Sequence, residues 1–139
     1  MSNPRIIYYY QTFSGLSSIL KKDTPVTHIH LSAIHFGNNP DGSPYIHLNN
    51  YSPNDKRFDS VWNDITKAHN LGIKIVLMMG GSGSAFTDLF DNFDVFYPLL
   101  VNTIKNHNVI SGIDLDVEEP ASLDNIKMLI DRLNTDFGQ

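Results

Sequence analysis

The residues with the clearest chemical potential are Asp114, Asp116 and Glu118, within the run Ser111-Gly112-Ile113-Asp114-Leu115-Asp116-Val117-Glu118-Glu119-Pro120. Side chains alternate along a strand, so the three acids share one face while Ile113, Leu115 and Val117 share the other. Successive acids on that face lie about 6–7 Å apart. At an effective dielectric of about 20, two charges at that separation repel by roughly 2.5 kcal/mol. The row is therefore expected to keep a proton near neutral pH, with Glu118, nearest the strand's C-terminal end, as the acid donor. A protonated carboxyl beside an ionised one is the pair that cleavage of a glycosidic bond uses. Two other readings stand beside this one. Carboxylates at this spacing could bind Mg²⁺ or Ca²⁺, although no neutral ligands for such an ion are identifiable nearby. A purely structural polar stripe alternates in the same way, but a central strand of a parallel sheet offers no solvated face to carry it.

Other elements must hold that strand in place. Ile6-Ile7-Tyr8-Tyr9-Tyr10 is β-branched and aromatic, as a buried strand should be, and Ser14-Gly15 ends it. Leu16, Ile19 and Leu20 mark a short helix before Asp23-Thr24-Pro25. A second strand spans Thr27 to Phe36, followed by a long connection over residues 37–57 with an extra strand expected at Tyr45-Ile46-His47-Leu48. Phe58, Val61, Trp62, Ile65, Ala68 and Leu71 recur at helical spacing, and Gly72 stands where a left-handed cap would end that helix. Lys74 to Met79 is the third strand, and Gly80-Gly81-Ser82-Gly83-Ser84 follows it. A second helical pattern covers residues 86–107, with Pro98 expected in its first turn or at a break. Val109 to Val117 is the fourth strand, and a last helix runs from about Ser122 to Phe137. Four β/α units in succession imply right-handed crossovers and a parallel sheet. An open doubly wound sheet fits the length; part of a (β/α)8 barrel fits the acid row.

Composition narrows the functions. One domain, 1–139, is expected, and 41% hydrophobic residues exclude a disordered chain. The net charge of −5, without any clustered basic run, argues against nucleic acid as a partner. With no cysteine there is neither a disulfide framework nor a thiolate metal site. The longest apolar stretch, Ile75 to Met79, is far short of a membrane span. Met1-Ser2-Asn3-Pro4-Arg5 leads straight into a strand-like run, so no signal peptide is expected and the cytoplasm is the default location.

Residues 111–118 resemble the D-G-x-D-x-D-x-E signature of glycoside hydrolase family 18, the chitinases and endo-N-acetylglucosaminidases. Met78-Met79-Gly80-Gly81 is similar to the family's S-x-G-G on strand three, and Ile6 to Gln11 resembles its aromatic first strand. The resemblance spans essentially the whole chain but only four of the family's eight β/α units, with Gln139 falling where a fifth strand should begin. It implies a half, or truncated, TIM barrel that hydrolyses β-1,4-linked N-acetylglucosamine glycans without a cofactor or metal. The substrate's own N-acetyl group would be the nucleophile. Glu118 would protonate the leaving oxygen, Asp116 would orient the N-acetyl group, and Asp114 would sit deeper and bias the proton on Asp116. Tyr8 would line the floor of the −1 sugar site, with Tyr10 second, or Tyr9 if the alignment shifts by one residue. Gly80 and Gly81 complete the substrate-binding set. Three positions depart from the family: Ser111 for its first aspartate, Met78 for the serine expected beside Asp114, and Val117 for an aromatic residue. The family's other sugar contacts come from later strands. A second half-barrel, from a missing C-terminal part or from self-association, is thus the expected protein partner. A non-catalytic chitin-binding relative is the alternative, and retention of Glu118 speaks against it.

Other candidates weigh less. The glycine run fits neither phosphate-binding spacing, and close approach of strand ends explains it as well. His28 and His30 share a strand face without an acidic or third nitrogen partner in sequence, which reads as hydrogen-bonded core ahead of a zinc site. Trp62 falls on its helix's apolar stripe, whereas Tyr45 and Tyr51, on the long connection, are candidates for a sugar-stacking rim.

Overall fold

The computed structural model describes residues 4–138, so Met1–Asn3 and Gln139, which bear on the expected start and fifth-strand boundary, lie outside the described residues. Four strands pair in parallel in the order β1 (Ile7–Tyr10), β2 (His28–Asn38), β4 (Lys74–Gly81) and β5 (Ile110–Val117). The expected parallel α/β half-barrel is the observed architecture, with helices α1 (Asp59–Asn70), α2 (Ala85–Asp91), α3 (Phe93–Asn106) and α4 (Leu123–Phe137). The extra strand, β3 (Pro44–Leu48), pairs antiparallel with the far end of β2. Its turn is closed by bonds from Asn39 N to Ser43 O and from the Ser43 hydroxyl to Asp41 Oδ1.

The two faces of the sheet differ in kind. Tyr10, Ile29, Leu31, Ile75, Leu77 and Met79 are all buried in one cluster with Val61, Ile65, Phe86, Leu89, Phe96, Leu100 and Leu129 of the helices. The opposite face carries Ile7, Tyr9, His28, His30, Ser32, Val76, Met78, Gly80, Asp114 and Asp116, as the strand registers require. Burying the helix side is the main apolar gain of the fold, at roughly 25 cal/mol per Å² removed from water.

Three expectations about local structure are corrected. The short helix after β1 is a single turn, in which Ile19 N and Leu20 N both donate to Leu16 O. Between Gly15, at φ +104°, and Pro25 the segment is too short to offset the cost of helix nucleation. The pattern over 86–107 divides at Asn92 into α2 and α3. Pro98 lies inside α3, beyond its first turn, and the Asp94 carbonyl that loses a donor there is on the exposed side. Gly72 ends α1 as expected, at φ +87°. Among the described residues no helix is long and apolar enough to cross a membrane.

Candidate active site

The acids take their positions from the register of β4 and β5. Asp114 pairs with Met78 and Asp116 with Gly80, which places both carboxylates on the face away from the helices. Glu118 stands just past the last paired residue, Val117, and is exposed. Gly80 is at φ +101°, and a Cβ there would meet the Asp116 carbonyl oxygen and the Phe86 ring. A Cβ on Gly81 would stand 3.7 Å from Asp116 Oδ2, so this glycine lies against the carboxylate. Close approach of the strand ends accounts for Gly80, and a φ of +86° accounts for Gly81.

Asp114 is held by a residue from two strands away. His30 Nδ1 lies 2.9 Å from Asp114 Oδ2, with the two side chains 11% and 28% exposed. The acidic partner that His30 lacks in local sequence therefore comes from 84 residues further along the chain. It also answers the departure at Met78, because the donor for Asp114 arrives from β2 instead of β4. Among the described residues no group of three or more His, Cys, Asp or Glu side chains is disposed to hold a metal.

The placement of Tyr8 and Tyr10 is corrected by the register of β1. These residues pair with Ile29 and Leu31, on the helix side of the sheet. Tyr10 is 2% exposed, its hydroxyl accepts from Gly15 N at 3.1 Å, and its ring meets Phe13 edge-on. Neither can line a floor beside the acids. Tyr9 pairs with His30, is 56% exposed and presents its ring to the His30 ring at 5.0 Å, on the carboxylate face. A shift of one residue in a strand exchanges faces, and three successive tyrosines gave no polar alternation to fix the register.

A polar cleft of about 860 Å³ opens at the C-terminal ends of the strands, lined by residues that include Gln11, His35, Tyr45, His47, Asn49 and Asp88. It begins at Gly83, two residues beyond Gly81, and the acid row itself lines neither this cleft nor the apolar groove by α4. His35 and His47 face each other across β2 and β3. Burial lowers the pKa of both rings, with Asp88 and Glu119 pulling His35 the other way and His35 further depressing His47. Asn49 ties the cleft wall together: its backbone N–H donates to Ala33 O, its side-chain oxygen accepts from Ala33 N, and its amide donates to Gln11 O. Tyr45 does line the cleft, stacked on His47 at 3.7 Å, whereas Tyr51 lies beneath the Arg57 guanidinium. Trp62 packs flat on His107 at 3.6 Å and donates to Pro53 O, a packing role as its place on the helix implies.

No protein-family model and no curated protein matches the chain. Solved structures do. A chitinase from Aspergillus fumigatus is 31% identical with a TM-score of 0.87, over 98% of this chain and 51% of its own. A fungal endo-β-N-acetylglucosaminidase of glycosyl hydrolase family 18 is 33% identical with a TM-score of 0.79, over 99% of this chain and 52% of its own. In sequence and in fold the chain is similar to about half of a glycoside hydrolase family 18 barrel. A family 18 chitinase from Pseudoalteromonas aurantia, at 18% identity and a TM-score of 0.60, shares the fold over 84% of this chain and 42% of its own. The chain thus spans about half the length of the solved structures it matches.

Beside the family motif the structure brings in a residue that the sequence reading passed over. Glu119 turns away from the row and accepts from Phe86 N at 2.6 Å, Thr87 N at 3.1 Å and the Thr87 hydroxyl at 2.7 Å. A carboxylate at the first turn of α2 satisfies amides that have no partner within the helix. This clamp joins the first turn of α2 to the segment just past β5, and nothing in the linear order of Glu118-Glu119-Pro120 announces it.

Proposed function

We propose that the chain is the catalytic half of a glycosidase that hydrolyses β-1,4-linked N-acetylglucosamine glycans by substrate-assisted acid catalysis. The observation that carries this reading is the pair of carboxylates, Asp114 and Asp116, in register beside Gly80 and Gly81, with Glu118 at the strand's end. In this reading Glu118 protonates the leaving oxygen. Asp116 holds the substrate's N-acetyl group so that its carbonyl oxygen attacks the anomeric carbon as the bond to the leaving oxygen breaks. Asp114 supports Asp116 from one step deeper on the same face. Gly80 and Gly81 let the sugar approach the backbone, and Tyr9 takes the aromatic role assigned by sequence to Tyr8 and Tyr10.

A glycan is the substrate partner, and the cleft lined by Gln11, Tyr45 and Asn49 supplies hydroxyl-binding groups and an aromatic ring. The second half-barrel docks at the free edge of β5, where Ile113, Leu115, Ile130, Leu133 and Phe137 line an apolar groove of about 730 Å³. The test is hydrolysis of a chromogenic chitobioside, with Glu118→Gln expected to lower the rate by on the order of 10²–10⁴-fold. A second reading, a non-catalytic chitin-binding protein, is favoured by the exposure of Glu118 and by the cleft lying apart from the acids. Chitin binding without turnover, unchanged by Glu118→Gln, would select it.

A further inference from the structure

We propose that His30 is a positioning residue for the carboxylate row, acting through Asp114. This deepens the glycosidase reading and rests on it. β2 and β5 are not neighbours, and β4 lies between them, so the bond from His30 Nδ1 to Asp114 Oδ2 reaches across a whole strand. At the level of Asp114 the intervening residue is Met78, and at the level of His30 it is Val76. Neither offers a polar hydrogen. The donor that fixes Asp114 is supplied by β2 instead.

The ring is well placed for this. His30 is 9% exposed, with Tyr9 edge-on at 5.0 Å from β1 and His28 at 6.5 Å on its own strand. An ionised carboxylate can only accept, so the bond requires a proton on Nδ1. With Oδ2 engaged, the Asp114 carboxylate cannot swing, and its charge stays at a fixed point one step below Asp116. A misplaced charge at that point alters how Asp116 can hold a reacting group, which affects turnover more than binding.

Two variants and one spectroscopic reading of the full chain test this. His30→Leu keeps an apolar body and removes the donor, whereas His30→Asn puts an amide N–H near the position of Nδ1. On a chromogenic chitobioside, His30→Leu is expected to lower kcat on the order of 100-fold with KM within about threefold, and His30→Asn to return kcat to within about tenfold of wild type. Equal losses in the two variants, or no loss in either, overturn the proposal. Separately, the ¹⁵N resonances of the His30 ring are expected to show a protonated Nδ1 in the wild type, with that preference lost in Asp114→Ala. A wild-type Nδ1 without its proton, or one indifferent to Asp114→Ala, overturns the proposal without any assay of turnover. Absence of hydrolysis by the wild type would count against the glycosidase reading alone, and the ring resonances would then decide the role of His30.

Discussion

β4 and β5 are parallel neighbours of equal length, eight residues each, and they are built to different ends. β4 has a strand on either side, and Ile75, Leu77, Met78 and Met79 are buried along it. β5 is an edge strand, and its described side chains from Ile113 to Asp116 are only half-buried. The helix after it, α4, buries Leu129 alone and leaves Leu123 and Ile130 exposed. The acids sit on the less buried strand, and the strand that supports them contributes apolar bulk and two glycines. Apolar burial and the candidate carboxylates are thus divided between adjacent strands.

That division can be broken most directly from the core. Leu77→Ala is expected to cost about 2–5 kcal/mol in urea unfolding, whereas Leu115→Ala, half-buried on β5, should cost about 1–2 kcal/mol. Equal costs would mean that β5 is as firmly packed as β4. Gly80→Ala comes next, at roughly 2–4 kcal/mol, because the new Cβ meets the Asp116 carbonyl and Phe86 in a left-handed conformation. Gly42→Ala is the control, with a similar φ of +87° but open space around it, and should cost about 1 kcal/mol.

A finer comparison lies within β5's own end. Glu119→Gln is expected to lose about 1.5 kcal/mol by weakening the charge-assisted bonds at the start of α2. Exposed Glu118→Gln should stay within about 0.5 kcal/mol of wild type in the same urea experiment. The smallest effect concerns pH. Burial holds the pKa of His35, His47 and His107 below that of a free imidazole. Below about pH 6.5 the unfolded chain therefore binds more protons than the folded one. The stability that the neutral rings confer is complete above that value and is lost as the pH falls toward their folded-state values. Urea midpoints should accordingly drop between about pH 7.5 and about pH 5.5, and the drop should narrow in His107→Gln.

Period and punctuation made most of the fold legible: the acid strand, the amphipathic helix ending at Gly72 and the hairpin strand at Tyr45–Leu48 all follow from local pattern. The first connection is a single turn because Leu16, Ile19 and Leu20 have helical spacing without the length a helix needs. In the site, Asp114 and Asp116 were legible because a period of two survives on one strand. Tyr9 is legible only as the alternative to Tyr8 and Tyr10, since Ile6 to Tyr10 is apolar at every step and either parity fits. His30 and Glu119 were illegible for another reason. Their partners lie 84 and 32 to 33 residues away, and only the order and register of the strands bring them together.

The Glu119 clamp also bears on how such a molecule can diverge. Because the first turn of α2 and the segment just past β5 are fastened to each other, a change in length between β4 and α2 would need a matching change after β5. Among the described residues, the turn between β2 and β3 makes its side-chain hydrogen bonds only within itself, through Asn39, Asp41 and Ser43. Insertions that lengthen the reach over a bound polymer are therefore expected to collect at that turn, leaving the ground beneath the carboxylates unaltered.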